Sequence, residues 1–193
     1  MTRLGGWLFR HRTSIPVPLA IAVLALPAGE APRSKLLIAI GIGLTAIGEA
    51  IRLWAVHHIG AISRTRSDRL GPLVASGPFS LVRNPLYVGN IALWAGFAAA
   101  AGLLWFVPVV VLLLAVEYHA IVRWEEQLLE GRYGNEYRSY LARVPRWWPT
   151  LHHGGHGGPV VESFSWRETL FSERGTLLAI AAGYATLWIK ARF

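Results

Sequence analysis

Long apolar runs, separated by short polar stretches rich in arginine, dominate the hydrophobic pattern of this chain. The run 36–56 has about the 20 residues that a helix needs to cross the hydrocarbon core of a bilayer. The pattern therefore predicts an all-α, polytopic membrane bundle, with residues 1–193 as a single membrane domain. The five predicted spans are 14–28, 36–56, 86–101, 103–116 and 176–189.

The first and last of these runs are short for a membrane span. The first contains Pro16 and Pro18, which suit the start of a helix better than its interior. The last follows an amphipathic stretch and could instead lie in the membrane interface. The number of spans is therefore four or five.

The third and fourth runs are separated only by Gly102, which predicts a tight hairpin of two antiparallel helices. After Val116 the apolar run stops, but no helix breaker appears until Gly131. We therefore expect the fourth helix to continue out of the membrane, carrying Glu125 and Glu126 with it.

Composition supports a membrane location. Charged residues make up 16% of the chain, against about 25% in soluble domains. The net charge of +8 comes from basic residues placed between apolar runs, which indicates contact with anionic lipid headgroups and no nucleic acid. The chain has no cysteine, which excludes a disulfide, a thiolate metal site and a cysteine nucleophile.

The distribution of arginine predicts the orientation in the membrane. If the N-terminus is cytoplasmic, the opposite side receives only Arg33, Lys35, Lys190 and Arg192. The cytoplasmic side then collects Arg3, Arg10, Arg12, Arg64, Arg66, Arg69, Arg83, Arg123, Arg132, Arg138, Arg143, Arg146, Arg167 and Arg174. We therefore expect a multi-pass protein with its active site facing the cytoplasm.

Candidate chemistry is densest at the mouth of the third span, over residues 76–89. Pro85 at a helix start leaves the first-turn N–H groups free, and this end of a helix favours anionic groups. Arg83, Asn84 and Tyr87 would then surround a polar pocket. The alternative is an interfacial anchor, with the arginine reaching headgroups and the tyrosine in an aromatic belt.

A second group lies on the predicted extension of the fourth helix, at Arg123, Glu125 and Glu126. Adjacent glutamates point about 100° apart on a helix, so one can face a ligand while the other takes a partner such as arginine. A carboxylate there could hold a ribose hydroxyl or an ammonium group. The alternative is a solvated acidic face without a ligand.

The two groups together resemble the isoprenylcysteine carboxyl methyltransferase and phospholipid methyltransferase superfamily of membrane enzymes. The resemblance rests on 77–89, on the Glu-Glu-x-x-Leu stretch 125–129 and on the tyrosine-rich stretch 133–140, in that order. It implies S-adenosyl-L-methionine as cofactor, bound by segments 71–89 and 123–149. The cofactor-binding residues it implies are Gly71, Pro72, Leu73, Val74, Phe79, Asn84, Pro85, Leu86, Tyr87 and Glu125, with Arg83, Arg123 and Glu126 as candidate catalytic residues.

Four positions depart from the usual pattern of the isoprenylcysteine enzymes. Asn84 and Gly71 stand where histidine is common, and Phe79 stands where tyrosine is usual. The substrate-positioning arginine one turn before the glutamate falls at Ile121 in this chain. These departures bear on the choice of methyl acceptor more than on cofactor binding.

The predicted function is methyl transfer to a lipophilic small-molecule or lipid-modified acceptor that enters from the bilayer. Methylation of a phospholipid amine is the first alternative, and an NADPH-dependent membrane reductase, a scaffold or a small transporter are the others. Glu49 and Arg52 lie three apart inside the second span and are expected to pair or to face the bundle interior. No metal site is predicted, and His152, His153 and His156 in a glycine-rich linker are left unassigned.

Overall fold

The computed structural model describes residues 2–27, 34–60, 73–150 and 165–192. Within these ranges the chain is entirely helical, with no β-strand. The helices are α1 (Thr2–His11), α2 (Pro16–Ala25), α3 (Lys35–Ile59), α4 (Pro85–Ala100), α5 (Val107–Tyr133), α6 (Asn135–Arg143) and α7 (Trp166–Lys190), with short 3-10 turns at Gly77–Ser80 and Leu104–Phe106. The predicted all-α class is confirmed.

Within the ranges that the structure describes, two helical stretches are long and apolar enough to cross a membrane, Lys35–Ile59 and Leu104–Tyr133. Helices α2 and α4 are apolar but have only 10 and 16 residues. Helix α7 has 25 residues, and its first half carries Glu168, Glu173 and two arginines. The five-span arrangement therefore stays a prediction.

The predicted continuation of the fourth helix beyond Val116 is confirmed, because α5 is continuous as far as Tyr133. It also passes through Gly131, where the sequence predicted that it would end. A glycine in a helix costs only about 1 kcal/mol relative to alanine, and a Cβ at Gly131 would meet nothing within 4 Å. Helix α5 ends instead at Gly134, whose φ of 52° stops the helix.

The predicted hairpin at Gly102 is present between α4 and α5. Gly102 has a φ of 81°, the left-handed conformation that suits the residue after a helix end. Its N–H donates to the carbonyl of Ala99, and the N–H of Leu103 donates to the carbonyl of Ala98, each at 3.0 Å. These bonds satisfy the last carbonyls of α4 and turn the chain into α5, which packs against it.

Helices α3 and α4 form the largest helix–helix interface described, and glycines allow their backbones to touch. A Cβ on Gly48 would lie 2.6 Å from the carbonyl oxygen of Gly89, and a Cβ on Gly89 would lie 2.7 Å from that of Gly48. Small residues at such crossings permit close backbone packing between membrane helices. The start of α4, where the first candidate group lies, is thereby fixed against α3.

Helices α1 and α6 were not predicted from the sequence. Helix α1 lies against α5, where Gly5 contacts the backbone of Ala120 and Gly6 lies under the ring of Trp124. Helix α6 buries Tyr137 and Tyr140. Both helices are short and amphipathic, so neither produces the long apolar run on which the sequence prediction depended.

Candidate active site

A cavity of about 990 Å³ lies among all seven of the described helices and the chain entering α4. One end is polar and lies between the start of α4 and the part of α5 that follows its apolar run. The other end is an apolar arm between α2, α4 and α7. The lining of this arm includes Ala20, Leu24, Phe97, Ala179, Ile180 and Gly183.

The two groups singled out in the sequence meet at the polar end of the cavity. The hydroxyl of Tyr87, in the first turn of α4, donates a hydrogen bond of 2.9 Å to Oε2 of Glu125 on α5. The ring of Tyr87 packs on that of Tyr118, with centroids 4.7 Å apart. Glu125 is half-buried and lines the cavity.

Glu125 lies nine residues beyond Val116, outside the apolar part of α5. Burial raises the pKa of its carboxyl to about 7, although the Tyr87 hydrogen bond and the positive charge of Arg12 act in the opposite direction. Near neutral pH this carboxyl can therefore exist in either form. A cation bound beside it would favour the ionised form.

Glu126 points away from Glu125 and joins two arginines. It accepts a hydrogen bond of 2.8 Å from Arg83 and bonds of 3.0 and 2.6 Å from Arg146, so that both carboxylate oxygens are engaged. A bidentate arginine–carboxylate pair fixes geometry as well as charge. The two adjacent glutamates therefore have different partners, as the helical spacing predicts. Glu125 faces the cavity, and Glu126 is paired with arginine.

The chain after α6 is hydrogen-bonded to the loop before α4. The N–H of Arg83 donates to the carbonyl of Pro145 at 2.9 Å, and Nδ2 of Asn84 donates to the carbonyl of Arg146 at 3.1 Å. The hydroxyl of Tyr140 donates to the carbonyl of Phe79 at 2.7 Å. These bonds bring the tyrosine-rich stretch and the Asn84–Pro85 turn together, although they lie some sixty positions apart in the sequence.

The structure brings most of the sequence-predicted site residues to one cavity. Those that line it are Leu73, Val74, Phe79, Arg83, Asn84, Pro85, Leu86, Tyr87, Glu125 and Glu126. Arg123 is exposed on α5 and does not line the cavity. Gly71 and Pro72 lie outside the described residues, as do Arg64, Arg66 and Arg69 and the histidines of the 152–156 linker.

A buried ionic network borders the same cavity at the level of α3. Arg52 donates from Nε to Glu49 at 3.0 Å, and its terminal nitrogens donate to Glu173 and to Asn90. Thr176 accepts a further bond from Arg52 at 3.3 Å. The network therefore connects α3, α4 and α7, and the expectation that Glu49 and Arg52 pair is confirmed.

Several cavity residues were not identified from the sequence as site residues. Arg12 had been counted only toward membrane orientation, and Glu173 and Asn90 had no motif to mark them. Tyr137 lay within the tyrosine-rich stretch but had no assigned role. Each of these side chains reaches the cavity through a contact between distant parts of the chain, which a local pattern does not report.

Comparisons with known proteins give a family and two relatives. The family model of phospholipid methyltransferases matches residues 36–136. The chain is 29% identical over 154 residues to the nickel-cobalt-cadmium resistance protein NccN of Alcaligenes xylosoxydans xylosoxydans, covering 77% of this chain and 69% of that protein. It is 30% identical over 154 residues to the cobalt-zinc-cadmium resistance protein CzcN of Cupriavidus metallidurans, covering 77% of this chain and 68% of that protein. No solved structure matches the chain.

The fold and the cavity define a helical protein with apolar helices of membrane-spanning length and a site that has one polar and one apolar end. The match extends from the start of α3 to the start of α6 and includes both groups of residues that meet in the cavity. The chain belongs to the phospholipid methyltransferase family.

Proposed function

We propose that the protein transfers a methyl group from S-adenosyl-L-methionine to a lipophilic acceptor. The observation that carries this proposal is the meeting of Tyr87 and Glu125 in a cavity that continues into an apolar arm. Such a cavity offers adjoining positions for a polar cofactor and an apolar acceptor. Its volume of about 990 Å³ lies near the upper end of the usual range for ligand sites, about 300–1,000 Å³.

The polar end has groups that fit the cofactor. The Glu125 carboxylate would accept hydrogen bonds from its ammonium group or from a ribose hydroxyl. Asn84, Pro85 and Leu86 form the start of α4, where first-turn N–H groups favour electron-rich atoms. Leu73, Val74 and Phe79 are buried hydrophobic residues that provide an apolar wall.

When bound, the cofactor would supply a methyl group on a positively charged sulfur. The protein's part is to hold the acceptor in line with that methyl group and to exclude water, and placement alone can contribute about 7–11 kcal/mol. Glu126 forms an ion pair with Arg83, and Arg146 pairs with the same carboxylate. The Glu126–Arg83 pair fixes the extension of α5 against the start of α4. We propose that this pair positions Glu125 and the α4 turn, whereas Arg123 on the outer face of α5 has no part in the site.

The apolar arm favours a lipophilic acceptor. Its walls come from α2, α4 and α7, and Gly183 keeps the arm open beside Phe97. A small-molecule lipid or a lipid-modified compound can enter this arm from the bilayer without being transferred through water. Methylation of a phospholipid amine remains the alternative acceptor chemistry, and the arm would then hold an acyl chain.

Binding measurements in detergent separate this function from the other candidates. We expect S-adenosylhomocysteine, the product form of the cofactor, to raise the thermal unfolding midpoint of the purified chain and to give a saturable calorimetric signal. NADPH is the matched comparison for a membrane reductase. Stabilisation by NADPH alone contradicts the methyltransferase proposal, and the absence of binding to either would favour a scaffold or transporter.

The acceptor can be identified by its product. Lipid extracts incubated with the protein and a methyl-labelled cofactor should yield a labelled compound that partitions into organic solvent. Its analysis distinguishes a methylated phospholipid amine from a methylated ester or ether. Label found only in water-soluble products would contradict a lipophilic acceptor.

The two relatives are named for metal resistance, which does not specify a reaction. Among the described residues, no group of three or more His, Cys, Asp or Glu side chains could hold a metal ion. We base the function on the cavity and on family membership, and we propose a multi-pass arrangement with the polar end of the cavity toward the cytoplasm.

A further inference from the structure

We propose that the Phe97 ring, beside Gly183, forms the end wall of the apolar arm and limits the length of the hydrocarbon tail that the methyl acceptor can carry. This inference rests on the proposed function, because it defines the size of the acceptor in the same cavity. It assigns the choice of acceptor to α4 and α7, and α7 lies outside the matched family region, 36–136.

The lining of the cavity changes from polar to apolar along both α4 and α7. On α4 it passes from Tyr87 and Asn90 to Phe97, and on α7 it passes from Thr176 to Gly183. Phe97 is ten positions after Tyr87, which is about 15 Å along a helix at about 1.5 Å per residue. An acceptor whose reacting group lies at the polar end would therefore direct its tail toward Phe97.

Phe97 lies at the far end of the arm. It is the last residue of α4 that lines the cavity, and it is buried. The lining ends beside it at Leu24 on α2 and at Thr186 on α7. The hydroxyl of Thr186 donates within its own helix to the carbonyl of Ala182 at 2.9 Å. This end of the cavity therefore suits the end of a hydrocarbon tail better than a polar group, because a polar group buried without a partner is unfavourable.

The Phe97 ring is held by its neighbours. The rings of Trp94 and Tyr184 contact it nearly at right angles, with centroids 6.2 and 5.1 Å away. The hydroxyl of Tyr184 is hydrogen-bonded to that of Thr45 on α3 at 2.7 Å. A Cβ on Gly96 would lie 2.5 Å from the backbone nitrogen of Thr45, so the backbone directly before Phe97 lies against α3. The ring therefore cannot move aside easily to admit a longer tail.

Gly183 provides the space that the Phe97 ring occupies. A Cβ on Gly183 would lie 2.4 Å from Cζ and 2.7 Å from Cε2 of that ring. Because the neighbours of the ring hold it from the other sides, a methyl group at this position must displace the ring into the arm or separate α7 from α4. The sizes of the two side chains therefore set the position of the end wall.

The test measures binding of straight-chain primary alcohols of increasing length to the purified full chain in detergent. Each buried methylene should strengthen binding about fourfold until the alcohol reaches Phe97, and further methylenes should add nothing. Phe97→Leu should move this limit to longer alcohols, because it removes part of the ring volume. Gly183→Ala should move the limit to shorter alcohols, because the added methyl group displaces the ring into the arm.

Two matched controls make the same kinds of substitution away from the cavity. Gly43→Ala places its methyl group where nothing lies within 4 Å, and Phe106 does not line the cavity, so neither Gly43→Ala nor Phe106→Leu should change the limit. The same limit in the parent chain and in both cavity variants overturns the end wall, and so does a gain in affinity that continues without a limit. The two cavity variants move the limit in opposite directions, so one of them still tests the proposal if the other fails to fold.

A bilayer lipid that fills the arm would show the same length limit, so product analysis separates it from the acceptor. In lipid extracts with a methyl-labelled cofactor, the labelled products of Phe97→Leu should include longer tails than those of the parent chain. Unchanged tails in the products would overturn the role of Phe97 in the choice of acceptor. Failure of the parent chain to bind S-adenosylhomocysteine would instead overturn the proposed function.

Discussion

Tyr87 and Glu125, which lie 38 positions apart in the chain, share a hydrogen bond of 2.9 Å that joins the first turn of α4 to the part of α5 beyond its apolar run. Each residue alone has an ordinary explanation, as an interfacial tyrosine or a solvated acid. In the fold the two side chains contact each other at the polar end of one cavity, where both are half-buried. The first two predictions test this pair.

Glu125→Gln keeps the size of the side chain but removes its charge. We expect it to weaken binding of S-adenosylhomocysteine by roughly ten- to a hundredfold, measured by calorimetry in detergent. Tyr87→Phe should have a smaller effect in the same direction, because it removes only the hydrogen bond that orients the carboxylate.

Glu136→Gln is the control for this experiment, since Glu136 is exposed on α6. Glu117 is unsuitable as a control, because it is buried in α5 with one carboxylate oxygen lacking a partner. A folded Glu125→Gln protein with the affinity of the parent chain would remove Glu125 from the cofactor site.

The raised pKa of Glu125 predicts that binding depends on pH. The carboxyl is largely neutral below about 7, and an ammonium group binds its ionised form. Affinity for S-adenosylhomocysteine should therefore rise as the pH increases through 7 and level off above it. Glu125→Gln should abolish this rise, and a pH profile shared by the parent chain and the variant would contradict the assignment.

The raised pKa of Glu125 also predicts how the stability of the ligand-free protein depends on pH. The folded state binds the Glu125 proton more tightly than the unfolded chain, whose carboxyl has a pKa near 4.5. The contribution of this group to stability is therefore present below 4.5 and is lost as the pH rises to about 7. Glu125→Gln should remove this contribution to the pH profile of the thermal midpoint.

Arg52 compensates two buried carboxylates, Glu49 and Glu173. Arg52→Met would leave both without their cation, and breaking a buried ion pair in this way costs about 3–5 kcal/mol. We expect a large fall in the thermal unfolding midpoint. Arg138→Met is the control, because its pair with Glu130 is exposed and such pairs contribute about 0–1 kcal/mol. Equal effects of the two substitutions would show that the Arg52 network does not stabilise the bundle.

The close approach of α3 and α4 predicts opposite results for two glycines on one helix. Gly48→Ala places a methyl group 2.6 Å from the Gly89 carbonyl, and overpacking of this kind costs about 1–3 kcal/mol. Gly43→Ala meets nothing within 4 Å and should be neutral or stabilising by up to about 1 kcal/mol, because alanine favours the helix. Thermal unfolding of both variants in detergent measures the difference. A Gly48→Ala protein as stable as Gly43→Ala would contradict the close contact.

The predicted orientation can be tested with single cysteines, since the chain has none of its own. Leu104→Cys lies at the α4–α5 turn and Ser139→Cys on α6, and both positions are exposed. We expect an impermeant thiol reagent to label them from opposite membrane faces. Gly102 itself is a poor site for cysteine because of its positive φ. Labelling of both cysteines from one face would contradict the predicted topology. A tag at the C-terminus tests the last predicted span separately, and a cytoplasmic tag would reduce the predicted spans from five to four.

The sequence predicted the elements that depend on long apolar runs. Helices α3, α4 and α5 follow such runs, and the hairpin at Gly102 follows from a single glycine between two of them. Helices α1 and α6 were missed because each is about ten residues long and buries only one narrow face. Their burial depends on a partner helix that no local pattern identifies.

The sequence also predicted part of the candidate site. The resemblance to the membrane methyltransferases implied Tyr87 and Glu125, and helix geometry indicated that only one of the adjacent glutamates would face a ligand. The sequence did not predict that Arg123 would be exposed, because its position on α5 depends on how that helix packs. The pairing of Arg52 with Glu173 joins residues more than a hundred positions apart and needed the tertiary structure.

The cavity is formed by helices from both early and late parts of the chain. Arg12 follows α1, while Gly183 and Thr176 belong to α7, and all three line the same space. During synthesis α3, α4 and α5 can therefore insert and pack before the pocket is closed. A nascent chain arrested before Trp166 should retain the helical hairpin yet be unable to retain ligand, so binding competence would appear abruptly, at the last step of membrane insertion.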